Sequence, residues 1–169
     1  DNGVIRGISM TATKFGIAFT AKFLNQGNAL VNLHLDGTIQ ASTGATEMGQ
    51  GVNTKIAQIC AHAFGISLDD VEVMSTSTEK NHNTSPTAAS SGSDINGSAA
   101  LSACNKIKKK LRGLAKLKFD EFNFDDSLLE DFVLPKVEAN EIVFKAGKVI
   151  EVSNKKEMLF KDLITLAYF

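Results

Sequence analysis

Two short runs in this 169-residue chain combine small residues with hydrogen-bonding groups where the backbone turns into a helix. The first is Gly44-Ala45-Thr46-Glu47-Met48-Gly49-Gln50-Gly51. Its glycines allow the backbone to approach another body closely, and a helix starting at Val52 would aim its first, unpartnered amides at that body. The second is Thr84-Ser85-Pro86-Thr87-Ala88-Ala89-Ser90-Ser91. Alanines at a helix start offer backbone amides without side-chain bulk. Each run is a generic anion cradle at the positive end of a helix dipole. A helix-capping turn explains the first equally well, and tight helix packing explains the second. Our working hypothesis is that both face one buried anionic cofactor; two remote anion sites, or none, are the alternatives.

Other constellations fail. His34, His62 and His82 are scattered, and none stands at a metal-ligand spacing with a cysteine or carboxylate, so each reads as structural or exposed. There is no G-x-x-x-x-G-K-[ST] loop, no G-x-G-x-x-G after a strand and no nucleophile elbow. The basic residues concentrate in one block without interleaved aromatics, unlike an RNA-binding surface. Eighteen basic against nineteen acidic side chains leave a net charge of −1, which argues against nucleic acid as a partner. No apolar run reaches the ~18 residues of a membrane span, and no leader is visible. Cys60 and Cys104 read as small buried hydrophobes in a reducing compartment, so a cytoplasmic location is expected.

The elements that must position the two runs read as α+β. Residues 4–24 are rich in β-branched and aromatic types and predict one long strand or two, bent at Gly16. Val31, Leu33 and Leu35 alternate with polar residues and lead into Asp36-Gly37, which predicts a two-residue type I′ hairpin returning through Thr38–Ser42. A helix is expected over 52–64, with Val52, Ile56, Ile59, Cys60 and Ala63 inward and Gly65 ending it. Val71 and Val73 mark a short strand. Eleven of the twenty-four residues between 75 and 98 are Ser or Thr, a linker-like composition. Ser85-Pro86 nonetheless has the form of an N-cap followed by an N1 proline, and predicts a second helix from Pro86 to about Lys116. Its stripe would be Leu101, Cys104, Ile107, Leu111 and Leu114, with Gly92, Asn96 and Gly97 packed against a neighbouring backbone. Seven basic side chains over 106–118 read as a solvated helix face, and six acidic ones over 119–131 as a compensating loop. A second hairpin turns at Ala146-Gly147. The stripe Phe160, Leu163, Ile164, Ala167, Tyr168 predicts a terminal helix. That helix stops without a glycine cap, basic last turn or proline, and the chain starts at Asp1, so a piece of a longer chain is expected; a native terminus tucked into a core is the alternative.

Thr13-Lys14-Phe15-Gly16-Ile17-Ala18-Phe19-Thr20, Phe23-Leu24-Asn25-Gln26, Thr46-Glu47-Met48-Gly49-Gln50-Gly51, and Asn83-Thr84-Ser85-Pro86-Thr87-Ala88-Ala89-Ser90 with Asp94-Ile95-Asn96-Gly97 follow one another as in a known family. In order and spacing they resemble the molybdenum-binding part, in its later half, of the xanthine dehydrogenases. The resemblance is clear from about Arg6 to Ala103, with a looser echo in Leu159–Tyr168. Within the wider molybdenum hydroxylases, Phe15–Thr20 is more similar to xanthine dehydrogenases than to aldehyde oxidases. The resemblance implies one domain or partial domain over 1–169. Its well-matched molybdopterin-binding portion is 1–115, a divergent loop and hairpin cover 116–158, and a truncated helix covers 159–169.

It further implies an oxidoreductase that hydroxylates purine carbons with oxygen from water, using molybdenum-molybdopterin. FAD and [2Fe-2S] clusters would be bound elsewhere, in iron–sulfur and flavin subunits or domains. Carried over by position, Phe19 and Thr20 line the substrate pocket, stacking on and hydrogen-bonding to a flat heterocycle. Met48, Gly49, Gln50 and Gly51 hold the pterin. Ala88, Ala89 and Ser90 form the segment whose backbone approaches the cofactor, with Ala89 nearest the metal. The alternatives are a molybdenum hydroxylase acting on aldehydes or N-heterocycles, and a cofactor-free degenerate or assembly domain. Two departures affect the loops: Thr43-Gly44-Ala45 replaces a common His-Gly-Gly, and Asn81-His82 replaces a common Val-Pro. No Gly-Glu-Pro-Pro-type segment carrying the family's catalytic glutamate occurs, nor any iron–sulfur cysteine array or flavin pattern. The resemblance therefore implies no catalytic residue in this segment and no activity for it alone.

Overall fold

The computed structural model describes residues 3–121 and 134–168. Its elements are β1 (Ala29–Leu33), β2 (Ile39–Thr43), α1 (Val52–Phe64), β3 (Val71–Val73), α2 (Gly97–Phe119), β4 (Ile142–Lys145), β5 (Lys148–Glu151), β6 (Glu157–Leu159) and α3 (Phe160–Tyr168). They build two three-stranded sheets, β1-β2-β3 and β4-β5-β6, joined through the helices. The class is α+β, as the alternation of hairpins and helices implied.

In the first sheet β1 and β2 are antiparallel, with Val31 opposite Ala41, and β2 and β3 are parallel, with Ile39 opposite Val71. The β1–β2 connection is not the two-residue type I′ turn expected from Asp36-Gly37. His34 N–H donates to Thr38 O (2.9 Å) and Gly37 N–H to His34 O (2.9 Å), which leaves three residues in the loop. Only Gly37 has a positive φ, +92°, so this is a three-residue turn with a left-handed glycine at its close. The Asp36 carboxylate accepts from Thr38 N–H (2.9 Å) and Oγ1–H (2.7 Å), fixing the turn from its own side chain. The type I′ geometry instead occurs at Ala146-Gly147, where both residues have positive φ (51° and 70°) and Lys145 pairs with Lys148.

The expected strands over 4–24 do not form. These residues hold only a short 3₁₀ turn at Lys22–Leu24, and Ile8, Met10 and Phe15 stand exposed. Strand composition specifies a pleated surface only when a neighbouring ladder receives it, and no ladder lies beside this segment among the described residues.

Helix α1 spans its predicted range and buries Val52, Ile56, Ala57, Cys60, Ala61, Ala63 and Phe64, with Ile59 only partly covered. It ends at Gly65, whose φ of +65° a side chain would resist. That glycine also faces the second sheet. A Cβ placed there would lie 2.5 Å from Phe144 O and 2.7 Å from Lys145 Cα. Gly147 N–H donates to Gly65 O at 2.7 Å, so the helix end is fastened to the second hairpin.

Helix α2 begins eleven residues later than Ser85-Pro86 suggested, because Ala89 and Ser90 take left-handed φ (52° and 55°) and interrupt it. A π-helical turn over Gly92–Asn96 bridges the interruption to Gly97. Gly97 approaches not a backbone but the side chain of Ile59, whose Cδ1 would lie 2.7 Å from a Cβ. The apolar stripe is also shifted: Ala100, Cys104, Leu111, Ala115 and Phe119 are buried, whereas Leu101 is 42% exposed. Cys60 and Cys104 are free thiols buried at the α1–α2 contact, with sulfurs 3.8 Å apart. Hydrogen bonding to Cys60 and burial push the Cys104 thiol well above its ordinary range.

The basic block of α2 is a solvated face only in part: Lys106, Lys109, Lys110 and Lys118 are exposed, but the other three are tied down. Lys108, Arg112 and Lys116 recur every four residues, on one side of the helix. Lys108 Nζ donates to Ala63 O, Arg112 Nε to Ile142 O (3.0 Å), and Lys116 Nζ to the buried Glu151 carboxylate (2.7 Å) and to Asp120 (2.9 Å). Lys108 and Arg112 also stand 5.3 and 5.7 Å from the centre of the Phe144 ring, within cation–π range. That ring meets Phe160 edge-on at 6.0 Å and Phe64 at 6.2 Å, a cluster drawn from α1, β4 and α3. Most of the acidic block lies outside the described residues. Helix α3 buries Phe160, Leu163 and Ile164 and ends with Tyr168 Oη donating to Leu33 O (2.8 Å). Among the described residues no helix is long and apolar enough to cross a membrane.

Two glycines separate conformation from packing. Gly65→Ala should destabilise the protein carrying this segment by more than about 2 kcal/mol, since left-handed strain adds to a backbone collision. Gly147→Ala, with a similar φ but open space around it, should cost only the strain, about 1 kcal/mol. Urea denaturation of the two variants side by side checks the difference; equal losses would remove packing from the explanation.

Candidate functional site

Strand β2 and helix α1 are joined by Gly44–Gly51, and the π-turn is preceded by Thr84–Ser91. These are the two runs singled out in the sequence, and they face each other. Thr46 N–H donates to Thr87 Oγ1 at 2.8 Å, linking the loops directly. A cavity of about 270 Å³ lies between them. From the first loop and α1 it is lined by Met48, Gln50, Val52 and Lys55; from the second, by Thr87, Ala88, Ser90, Gly92 and Ser93. The expected convergence of the two runs is therefore present. Gly49, Gly51 and Ala89 belong to the same loops without lining the cavity.

The means of convergence differs from the expectation. Of the amides at the start of α1, that of Asn53 is not free. Glu47 folds back over the helix start, and its carboxylate accepts from Gly49 N–H (2.8 Å), Gly51 N–H (3.0 Å) and Asn53 N–H (3.0 Å). The Asn53 amide, then those of Gly51 and Gly49, hold the Glu47 carboxyl below the usual carboxylate range. An internal anion thus occupies the helix mouth that was expected to receive an external one. Gln50 also turns inward: its Oε1 accepts from Met48 N–H (2.6 Å), and its Nε2–H donates to Thr46 O (2.9 Å). The one cationic residue among those lining the cavity is Lys55, one turn into α1.

The second loop is strained. Ala89 and Ser90 hold left-handed φ, and so does Ala18 (93°), whose N–H donates to Ala89 O at 3.1 Å. Each such non-glycine residue costs about 1–2 kcal/mol relative to a right-handed conformation. Strain of this kind survives where surrounding contacts over-determine it, and it concentrates at functional sites. Here Ala88 O receives both Ser91 N–H (3.1 Å) and Ser91 Oγ–H (2.8 Å), with Ser91 buried.

The Ala18–Ala89 bond carries the N-terminal segment to the second loop, placing Phe19 and Thr20 next along the chain from the contact. Asn25 fixes Phe19 from both sides, accepting from its N–H (2.9 Å) and donating to its carbonyl (2.9 Å). Phe19 is partly buried and Thr20 exposed. Gln26 O is held in turn by Thr84 Oγ1–H (2.6 Å) and Ser85 N–H (3.3 Å). Ser85 is thus a clamp on this segment and not a helix cap. All three histidines are exposed, and among the described residues no cluster of His, Cys, Asp or Glu could hold a metal ion.

Sequence reasoning missed Glu47 as a cap and Lys55, Thr87, Gly92 and Ser93 as lining. A carboxylate four to six residues ahead of glycine-rich helix amides was the available signal for Glu47. Lys55 was legible only as the residue one turn inside that helix.

The residues present fit a negatively charged group. Among the lining residues Ala88, Ser90, Gly92 and Ser93 leave room, Thr87, Ser90 and Ser93 carry hydroxyls, Lys55 is cationic, and none is acidic. Comparison with known proteins gives that fit a family. A family model described as molybdopterin cofactor-binding domain matches residues 1–169. Xanthine dehydrogenase 1 of Arabidopsis thaliana is 51% identical over 118 residues, covering 69% of this chain and 9% of that protein. Xanthine dehydrogenase of Dictyostelium discoideum is 57% identical over 102 residues, 60% of this chain and 8% of that protein. The chain thus spans under a tenth of the length of these relatives. Among solved structures, quinoline 2-oxidoreductase from Pseudomonas putida 86 superposes with a TM-score of 0.70 at 25% identity, over 85% of this chain and 16% of that one. CO dehydrogenase from Oligotropha carboxidovorans shares the fold, with a TM-score of 0.66 at 22% identity over 84% of this chain and 16% of that one. Matched along its whole length, the chain belongs to the molybdopterin cofactor-binding domain family.

Proposed function

We propose that this segment supplies cofactor-holding loops and part of the substrate pocket of a molybdenum hydroxylase of the xanthine dehydrogenase type, acting on a purine. The observation that carries the reading is the single cavity bordered by both small-residue loops. Its volume of about 270 Å³ falls just under the ~300–1,000 Å³ of complete ligand pockets. That size is in keeping with a site whose remaining walls come from other parts of the protein.

In this reading Met48 and Gln50 border the pterin from the first loop, with Gly49 and Gly51 giving that loop its close-fitting backbone. Ala88 and Ser90 border it from the second, and Ala89 supplies backbone near the metal. Lys55 offsets the negative charge of the bound group. When bound, molybdenum-molybdopterin supplies the redox chemistry by which a substrate carbon is hydroxylated with oxygen from water; the protein supplies binding and orientation. Phe19 stacks on the heterocycle and the Thr20 hydroxyl bonds to its edge. The clasp from Ala18 to Ala89 sets the distance between substrate-side and cofactor-side residues. FAD and [2Fe-2S] clusters, carried by other domains or subunits, would take the electrons onward.

A second reading, a hydroxylase of another N-heterocycle, is favoured by the structural likeness to quinoline 2-oxidoreductase. The identities near 50% with xanthine dehydrogenases weigh toward purine.

Purification of the whole protein that carries this segment, with assay of molybdenum, pterin and hydroxylation of purines against quinolines and aldehydes, tests the reading. Absence of pterin would support the cofactor-free alternative, and preference for quinoline the second reading. Gln50→Ala, which opens the Thr46–Gly51 loop, should lower pterin per chain severalfold while the urea-denaturation midpoint stays within about 1 kcal/mol of wild type in stability. Thr20→Ala should raise KM or lower kcat for purines by roughly tenfold, the effect of one lost substrate hydrogen bond, at unchanged metal content. Loss of metal in Thr20→Ala would mean that its hydroxyl serves the cofactor and not the substrate.

A further inference from the structure

Nothing in the family reading assigns a role to Glu47, yet its carboxylate accepts from three backbone amides of the loop and helix that border the cavity. Its two oxygens accept from three amides, Gly49 and Gly51 on Oε1 and Asn53 on Oε2, at 2.8–3.0 Å. Two of those amides belong to glycines with positive φ, Gly49 at +98° and Gly51 at +75°. Such residues have the most conformational freedom to lose when a loop is ordered. Gly51 is also the residue immediately before α1, and no side chain of its own can cap the helix. The cap is therefore delivered from four residues upstream, and it closes the loop that carries Met48 and Gln50 to the cavity wall.

We infer that Glu47 is a positioning residue: its carboxylate presets the Met48–Gly51 loop, before any ligand arrives, in the shape that faces the cavity. The inference rests on the proposed cofactor role of that loop. Its chemistry is specific to a carboxylate. Both acceptor atoms are needed, because the amides approach from two sides, and a negative charge is favoured by the helix end it covers. One consequence follows for ligand recognition. Because Glu47 occupies the α1 mouth, the charge of a bound anion is met by Lys55 and by the hydroxyls and amides of the opposite loop.

The test uses the whole protein in cofactor-free and loaded forms. Amide hydrogen exchange is read at Gly49, Gly51 and Asn53, alongside pterin content and kcat per molybdenum. In Glu47→Ala, exchange at all three amides should rise on the order of tenfold. Pterin per chain should fall severalfold, and kcat per bound molybdenum should stay at the wild-type value. Added formate, which can occupy the vacated seat, should restore part of the protection in the cofactor-free variant. A merely structural role would lower thermal stability without a formate response. Glu47→Gln keeps the size of the side chain and one acceptor, so it serves if the alanine variant does not fold. It should release Asn53, or else the glycine pair, but not all three. Unchanged exchange in either variant would overturn the inference, as would faster exchange with undiminished pterin content. If the wild-type protein holds no pterin, the cofactor reading fails by itself, and the exchange and formate results still decide whether Glu47 sets the loop.

Discussion

The α1–α2 contact is the constraint from which the rest of the structure follows. Each helix brings one loop to the cavity, so the distance between the loops is the distance between the helix starts. That distance is set by small residues. Gly97 admits Ile59 where any Cβ would meet Cδ1 at 2.7 Å, and Cys60 packs on Cys104 with sulfurs 3.8 Å apart. Larger side chains at these positions would crowd the seam, and at Gly97 the tip of Ile59 would have to move. The seam thus acts on function indirectly: it touches no ligand, but it fixes the width of the place where one would sit.

The second sheet holds this seam from the far end. Lys108, Arg112 and Lys116 reach across from α2 to carbonyls of α1 and β4 and to the buried carboxylate of Glu151. Such a row is unusual in that the charges work at helix ends and strand ends, where backbone acceptors lack partners. Glu151 lies 98% out of solvent contact, its relative exposure being 2%, and it would be costly there without Lys116 and Asn154, which hold its carboxyl below the ordinary range. Phe64, Phe144 and Phe160 fill the space beneath that row. The apolar cluster aligns the elements, and the cations make the alignment specific.

What the sequence disclosed divides along the same physical line. Helix α1, the Val71–Val73 strand, both hairpins and the apolar stripe of α3 were legible because each is specified by local periodicity, and α1 and the hairpins by a local stop or turn signal as well. The strands expected over 4–24 were not realised because strand composition describes a surface, and the partner for it is not encoded nearby. The start of α2 was misplaced because Ser85-Pro86 has the composition of a helix cap. Its hydroxyl and amide are instead engaged at Gln26, 59 residues away in the chain. The left-handed turn at Ala89-Ser90 could not be foreseen at all, since neither residue favours it; only the bond from Ala18 and the clamp of Ser91 reveal why it persists. The turn type of the first hairpin was misread for a related reason: Asp36-Gly37 has the preferred letters, but the Asp36 side chain bonds forward to Thr38 and the residue keeps its own φ negative.

The candidate site was legible in its residues and misread in its electrostatics. Small residues and glycines correctly marked the two loops, because close approach is a steric property that composition carries. The sign of the helix mouth is a different property. It depends on which group reaches the first amides, and that is a matter of side-chain reach along a turning loop. Four residues upstream is a short enough span for a glutamate to return to Gly51, and its two oxygens take the amides of Gly49, Gly51 and Asn53. A helix dipole predicts where negative charge is favoured; it does not say whose. In this chain the nearest carboxylate is the chain's own, so a negatively charged ligand in the cavity would be left to Lys55 and the hydroxyls of Thr87, Ser90 and Ser93, while the helix mouth keeps its own loop closed.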